Sequence, residues 1–112
     1  MAQVMSPMFR DIIEPLPEYD FTLVVEGDSM TPQIADGDTI CCRFLDDRLN
    51  TPIGQICVLD TKDGPAVKII KEVTKDSLIL HSLNPRYPDY PVELSSINRV
   101  ALVIGVLRIL HP

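Results

Sequence analysis

Positive charge is scarce in this sequence. Ten Lys and Arg stand against sixteen Asp and Glu, giving a net charge of -6 and a pI near 4.7. The polypeptide as a whole repels a phosphate backbone, so direct nucleic-acid binding by these residues is disfavoured. Long apolar runs are also missing. The longest, Val100 to Leu107, is broken only by Gly105 and falls far short of the roughly 20 residues that cross a bilayer. Met1 to Pro17 carries prolines and charges but no apolar stretch of the kind a signal peptide needs. These features predict a soluble protein with no membrane contact. Cysteine is limited to Cys41, Cys42 and Cys57. An odd number without C-x-x-C spacing argues against a disulfide framework and against a thiolate metal site, and fits a reducing cytoplasm. Cys41 and Cys42 lie inside an apolar run, where they read as small, half-buried strand residues. No metal and no cofactor is expected, and no internal repeat or low-complexity segment is visible.

What is present suits one folded domain. A chain of 112 residues can bury one core but not two, and 46% hydrophobic with 23% charged residues is far from the composition of a disordered tail. Residues 1–17, with Pro7, Pro15 and Pro17, read as an extended lead-in, and 18–112 as the domain. Candidate strands rich in Val, Ile and Leu are Phe21 to Glu26, Thr39 to Phe44, Gln55 to Asp60, Ala66 to Val73, Ser77 to His81, Tyr90 to Leu94 and Arg99 to Leu110. Turn signals separate them: Asp36-Gly37-Asp38, Lys62-Asp63-Gly64 and Asn84-Pro85-Arg86-Tyr87-Pro88-Asp89. The pattern predicts an all-β fold, an antiparallel sheet curled into a small barrel or sandwich, with one helical turn after Ser29. Arg99 to Leu110 is apolar on both faces, which calls for cover on both sides, either as a central strand or by packing on a second subunit.

Chemistry concentrates in Val25-Glu26-Gly27-Asp28-Ser29-Met30-Thr31-Pro32. A strand there runs into glycine, serine and proline, which puts the Ser29 hydroxyl at a sharp bend beside free backbone N–H groups. A serine hydroxyl is a poor nucleophile until a base takes its proton. The only histidines are His81, which ends a β-like run, and His111, the penultimate residue, and neither suits a Ser-His-Asp triad. Among Lys62, Lys68, Lys71 and Lys75, only Lys68 is embedded in apolar neighbours, Ala66-Val67-Lys68-Ile69-Ile70. Dehydration penalises an ammonium, so a lysine in such surroundings can be neutral near neutral pH and act as a base. The competing reading is a strand-edge lysine with its stem on apolar surface and its amine in water.

The segment Val25 to Asp38 resembles the nucleophile motif of the LexA and phage-repressor family of self-cleaving serine peptidases, roughly V-x-G-x-S-M-x-P-x-[IL]-x-x-G-D. Ala66-Val67-Lys68-Ile69-Ile70 resembles that family's lysine strand, at close to its spacing from the serine. Asn84-Pro85-Arg86-Tyr87-Pro88 and Val103-Ile104-Gly105-Val106-Leu107 resemble its later motifs. Several motifs in the right order over residues 18 to 110 are far more specific than one short match. The resemblance implies Ser29 as nucleophile, Lys68 as general base, and the backbone N–H groups around Asp28 and Ser29 as oxyanion hole. It implies that Met30 packs beneath the nucleophile, while Gly27, Pro32 and Asp36-Gly37-Asp38 shape the turn. It further implies a mostly β domain, a homodimer formed through the C-terminal strand, cleavage of a loop of the same or a partner chain, and stimulation by a RecA filament. DNA contact would belong to a helix-turn-helix domain.

Some residues depart from that pattern. No helix-turn-helix stands in this sequence, so these residues are expected to be either one domain of a longer repressor or a relative of the short mutagenesis-protein branch. The family's Ala-Gly or Cys-Gly scissile bond is absent too: the five glycines follow Glu26, Asp36, Ile53, Asp63 and Ile104. The arginine that usually follows the lysine is Ile69. The residues therefore leave three readings open: a peptidase and dimerisation domain, a catalytically inactive dimerisation module, and a signal-peptidase relative with the same dyad.

Overall fold

The computed structural model describes residues 18–45 and 51–110. The lead-in over 1–17 and His111 lie outside the described residues. The elements are β1 (Phe21–Val24), β2 (Thr39–Phe44), β3 (Ile56–Thr61), β4 (Gly64–Val73), β5 (Ser77–His81), β6 (Tyr90–Glu93), a single 3-10 turn (Leu94–Ser96) and β7 (Ile97–Leu107). β2 and β5 have the expected bounds. β7 starts and stops earlier than the expected Arg99 to Leu110, and just past its end Arg108 binds Asp38, the residue before β2. The helical turn expected after Ser29 is a hydrogen-bonded turn with one bond of helical spacing, Ile34 N–H to the Met30 carbonyl at 3.0 Å.

All strand pairs are antiparallel, in one sheet of order β1-β2-β7-β3-β4-β5-β6. The all-β, antiparallel class is as expected, but the curl stops short of a closed barrel: β1 and β6 end the strand order and do not pair with each other. Register shifts at Cys41/Cys42 in β2, Asp60/Thr61 in β3 and Ile70/Glu72 on β4 tighten the local twist. The sheet thus bends far enough to bring the loop after β1 onto the loop after β5.

Both faces of the sheet are covered, as period-two alternation requires. Along β3, Val58 enters one cluster, with Val25, Met30, Ile34, Ile40, Cys42 and Ala101. Its neighbours Cys57 and Leu59 enter the other, with Ile70, Leu78, Leu80 and Ile97. β7 has the same alternation, Ala101 on the first cluster and Val100 and Leu102 on the second, and it lies between β2 and β3. Two-sided apolarity over that stretch is therefore the mark of a central strand. From Val103 to Leu107 the strand pairs with β2 alone.

Candidate active site

The first site residues come from the turn between β1 and β2. Gly27 and Gly37 have φ of 90 and 88, a region that side chains with a Cβ rarely adopt, and the Gly27 N–H donates to Asp36 Oδ1 at 2.7 Å. The turn is anchored from within by Met30 and Ile34, both essentially inaccessible, so Met30 occupies the packing position expected of it. Pro32 sits exposed in the same turn. Ser29 is half-buried between these anchors and the surface.

The second comes from β4. Lys68 stands opposite Cys57 of β3 and is only 9% exposed. Its Nζ lies 2.8 Å from Ser29 Oγ. β1 and β4 are not neighbours in the sheet, so this contact is a product of the curl. No salt bridge of Lys68 to a carboxylate is formed among the described residues, and burial holds its amine below the ordinary lysine range. The strand-edge reading, with the amine in water, does not describe this side chain.

The loop between β5 and β6 clamps the turn from the other side. The Asn84 N–H donates to the Ser29 carbonyl at 3.0 Å. Asn84 Nδ2 donates to the Asp28 carbonyl at 3.0 Å and to Thr31 Oγ1 at 3.3 Å. The Asp28 carbonyl and the Ser29 N–H share one planar peptide and point opposite ways, so holding the carbonyl aims the N–H away from Asn84. Among the hydrogen bonds of the described residues, none is donated by the Asp28 or Ser29 N–H. Tyr87 completes the clamp. Its hydroxyl donates to Asp28 Oδ1 at 2.5 Å, and its ring lies over Lys68 Nζ, 5.9 Å from the centroid. The Asp28 carboxylate holds the Tyr87 phenol above its ordinary range.

Asp38 is an ion-pair partner as well as a turn residue. Its nearly inaccessible carboxylate accepts from Arg108 Nε at 2.9 Å and Nη2 at 2.7 Å, and from the Ala35 N–H at 2.8 Å. The guanidinium fork, then the backbone N–H, pull its pKa down to about 2. His81 is opposite Ile69 and binds Asp89, which also binds Lys71. It is not a partner of Ser29. Burial, helped by the neighbouring cysteine, pushes the Cys42 and Cys57 thiols up to about 11 and about 12, so both stay protonated and unreactive. Among the described residues no group of His, Cys, Asp or Glu is placed to hold a metal ion. A cavity of about 840 Å³ on the second-cluster face, lined by Val73, Leu78, Ile97 and Val100 among others, includes neither Ser29 nor Lys68.

Asn84, Tyr87 and Arg108 had no role in the reading of the sequence. The first two stood in a recognised motif, Asn84 to Pro88, without an assigned task. Arg108 carries no signal at all, since its partner is 70 positions away.

A family model described as Peptidase S24-like matches residues 3–107, nearly the whole chain. No curated protein matches it.

Proposed function

The chain belongs to the Peptidase S24-like family, and from that premise we propose that it is a serine peptidase with a Ser29–Lys68 dyad, acting on its own polypeptide or a partner copy. The observation that carries this is the 2.8 Å contact between a serine hydroxyl and a lysine amine that is buried and lacks a carboxylate. With its amine neutral, Lys68 presents a lone pair to the Ser29 hydroxyl. Ser29 Oγ attacks the peptide carbonyl carbon as its proton passes to Lys68 Nζ. The oxyanion is met by backbone N–H groups of the Asp28–Ser29 bend, of which Asn84 aims the Ser29 N–H by holding the Asp28 carbonyl on the opposite side of the same peptide. As the C–N bond breaks, the Lys68 ammonium returns its proton to the leaving nitrogen. Lys68 then takes a proton from water, whose oxygen attacks the acyl carbon, and returns that proton to Ser29 Oγ as the ester C–O bond breaks.

The substrate in this proposal is a loop upstream of the domain, in the same chain or in a dimer partner, and the parent protein is a LexA-like or phage-type repressor. The dimer would form through β7: Val103–Leu107 has β2 on one side only, and Val106, Leu107, Ile109 and Leu110 are exposed. Free, protonated thiols suit the reducing cytoplasm. Any DNA contact is assigned to a separate helix-turn-helix domain, given the acidic charge of these residues.

The test is incubation of the protein, with whatever residues precede Met1 in its gene, at about pH 9.5, where a model lysine begins to lose its proton. Mass spectrometry should find two fragments from the wild type and none from Ser29→Ala or Lys68→Ala. An intact wild type defeats the peptidase reading. It would favour a catalytically silent dimerisation module.

A further inference from the structure

A lysine can serve as base only if water is kept from its amine, and β4 alone does not achieve this. Val67 and Ile69 pack on the first cluster and Cys57 stands beside Lys68 on β3, but Nζ extends beyond these to meet Ser29. There it faces an aromatic ring from another element, one that is itself 41% exposed. Tyr87 lies over Nζ at 5.9 Å, and its hydroxyl is bonded to Asp28, the residue immediately before the nucleophile. The Tyr87 N–H also donates to the Asn84 carbonyl at 3.1 Å, and Asn84 holds Asp28 and Ser29. The ring is thereby fixed at both its ends to the turn that carries the hydroxyl.

We propose that Tyr87 is a positioning residue of the dyad, its ring latched over the Lys68 amine by the bond to Asp28 so that bulk water is held off Nζ. The proposal rests on the Ser29–Lys68 reading above. Two effects of the ring oppose each other. Excluding water favours the neutral amine. The π face attracts the ammonium, but 5.9 Å is close to the outer limit of about 6 Å for that attraction. Burial is the effect that lowers the amine, and on this proposal the ring's share of it is larger than its attraction for the ammonium, so removing the ring should raise the amine's pKa.

Other titratable groups on the elements around Lys68 do not account for its environment. Cys57 on β3 is a neutral thiol, held at about 12. On β5, His81 is opposite Ile69 and is engaged with Asp89, which also binds Lys71. In the β5–β6 loop the charged neighbour is Arg86, whose N–H is bonded to Asn84 Oδ1. In the nucleophile turn it is Asp28, already bonded to Tyr87.

The experiment is a pH titration of the lysine side-chain resonances in the full chain labelled with ¹³C-lysine. With Lys62, Lys68, Lys71 and Lys75 as the only lysines, the Lys68 signal is the one lost in Lys68→Ala. The wild-type midpoint should lie below the ordinary lysine value. In Tyr87→Ala it should rise by about one unit, a roughly tenfold smaller neutral fraction at pH 8. Tyr87→Phe keeps the ring and loses the latch, so it should fall between the two, and the alkaline limb of any self-cleavage profile should move in the same order. Should Tyr87→Ala fold poorly, Tyr87→Phe alone decides, because it keeps the ring's volume. A midpoint that stays put or falls in either variant, with the wild type lowered, overturns the latch and leaves the dyad standing. A wild-type Lys68 that titrates at the ordinary value overturns the dyad's base and the latch with it.

Discussion

Asp38 and Lys68 are both buried, ionisable and close to the same turn, yet the protein treats them oppositely. Asp38 receives the Arg108 guanidinium and the Ala35 N–H, so its charge is matched and its pKa falls to about 2. Lys68 meets a serine hydroxyl and an aromatic ring, and among the described residues no carboxylate forms a salt bridge with it. One buried group is made permanently ionic and holds the turn. The other is held below the ordinary lysine range by burial, the condition the proposed base requires. The contrast separates scaffold from reagent more sharply than burial does, since both side chains are nearly inaccessible.

Breaking the reagent side should give the largest change. Lys68→Met removes the base and should slow self-cleavage by at least about 10²- to 10⁴-fold, while the fold becomes more stable. The sign follows from linkage. Lys68 has a lowered pKa in the folded state, so below that value folding buries an ammonium at a cost, and above the unfolded value near 10.5 both states are neutral and the cost is gone. Urea midpoints at pH 7 should therefore favour Lys68→Met, with the advantage shrinking by about pH 11. Equal midpoints at pH 7 would mean that the amine is solvated.

Breaking the scaffold side should act at the other end of the pH scale. The pairing of Asp38 stabilises the fold above the ordinary aspartate value of 3.8 and is lost as pH falls through about 2. Arg108→Ala leaves that carboxylate buried with only a backbone donor, so the acid-unfolding midpoint should move up by roughly one to two pH units. Circular dichroism from pH 6 to pH 1.5 measures it. An unmoved acid limb would show that the fork does not hold the turn.

The clamp between the two should come next. Asn84→Ala removes the donor to the Asp28 carbonyl and to Thr31 Oγ1 and should cost about 1–3 kcal/mol in denaturant unfolding. Asn84→Asp should fare no better, because a carboxylate has no N–H to offer those acceptors.

The two residues of the proposed dyad, which the structure brings within 2.8 Å, were legible in the sequence because their signals are local. Ser29 sits between Gly27 and Pro32, and Lys68 is the one charge in the apolar stretch Ala66 to Ile70. Most strands were legible for the same reason, since a run rich in Val, Ile and Leu bounded by turn residues is written in consecutive positions, as in Gln55 to Asp60 before Lys62-Asp63-Gly64. What holds the dyad was not legible, because it depends on distance. Asn84 and Tyr87 lie 56 and 59 positions from Asp28, and only the curl of the sheet brings them there. Openness of the sheet is equally non-local, being decided by whether β1 and β6 meet. At β7 the sequence left two explanations for one pattern, and the pairing divides them: a central strand through Leu102, and a one-sided edge beyond it.

Ser82 gives the smallest effect and the sharpest control on the comparison. It follows β5, one step beyond the Ile69↔His81 pair, and is 2% exposed. Its hydroxyl has no hydrogen-bond partner among the described residues. Asp38 is buried and paired with Arg108; Lys68 is buried against Ser29 with its pKa lowered; Ser82 is buried with no hydrogen-bond partner among the described residues. A hydroxyl dehydrated without compensation contributes nothing to hold the fold, and Ala differs from Ser by that one atom. Ser82→Ala should therefore leave stability unchanged or raise it by up to about 1 kcal/mol, opposite in sign to Asn84→Ala two residues along the same loop. A loss of more than about 1 kcal/mol in the urea midpoint would mean that this hydroxyl bonds something in solution, and Ser82 would then belong with Asp38, among the groups that fix the site.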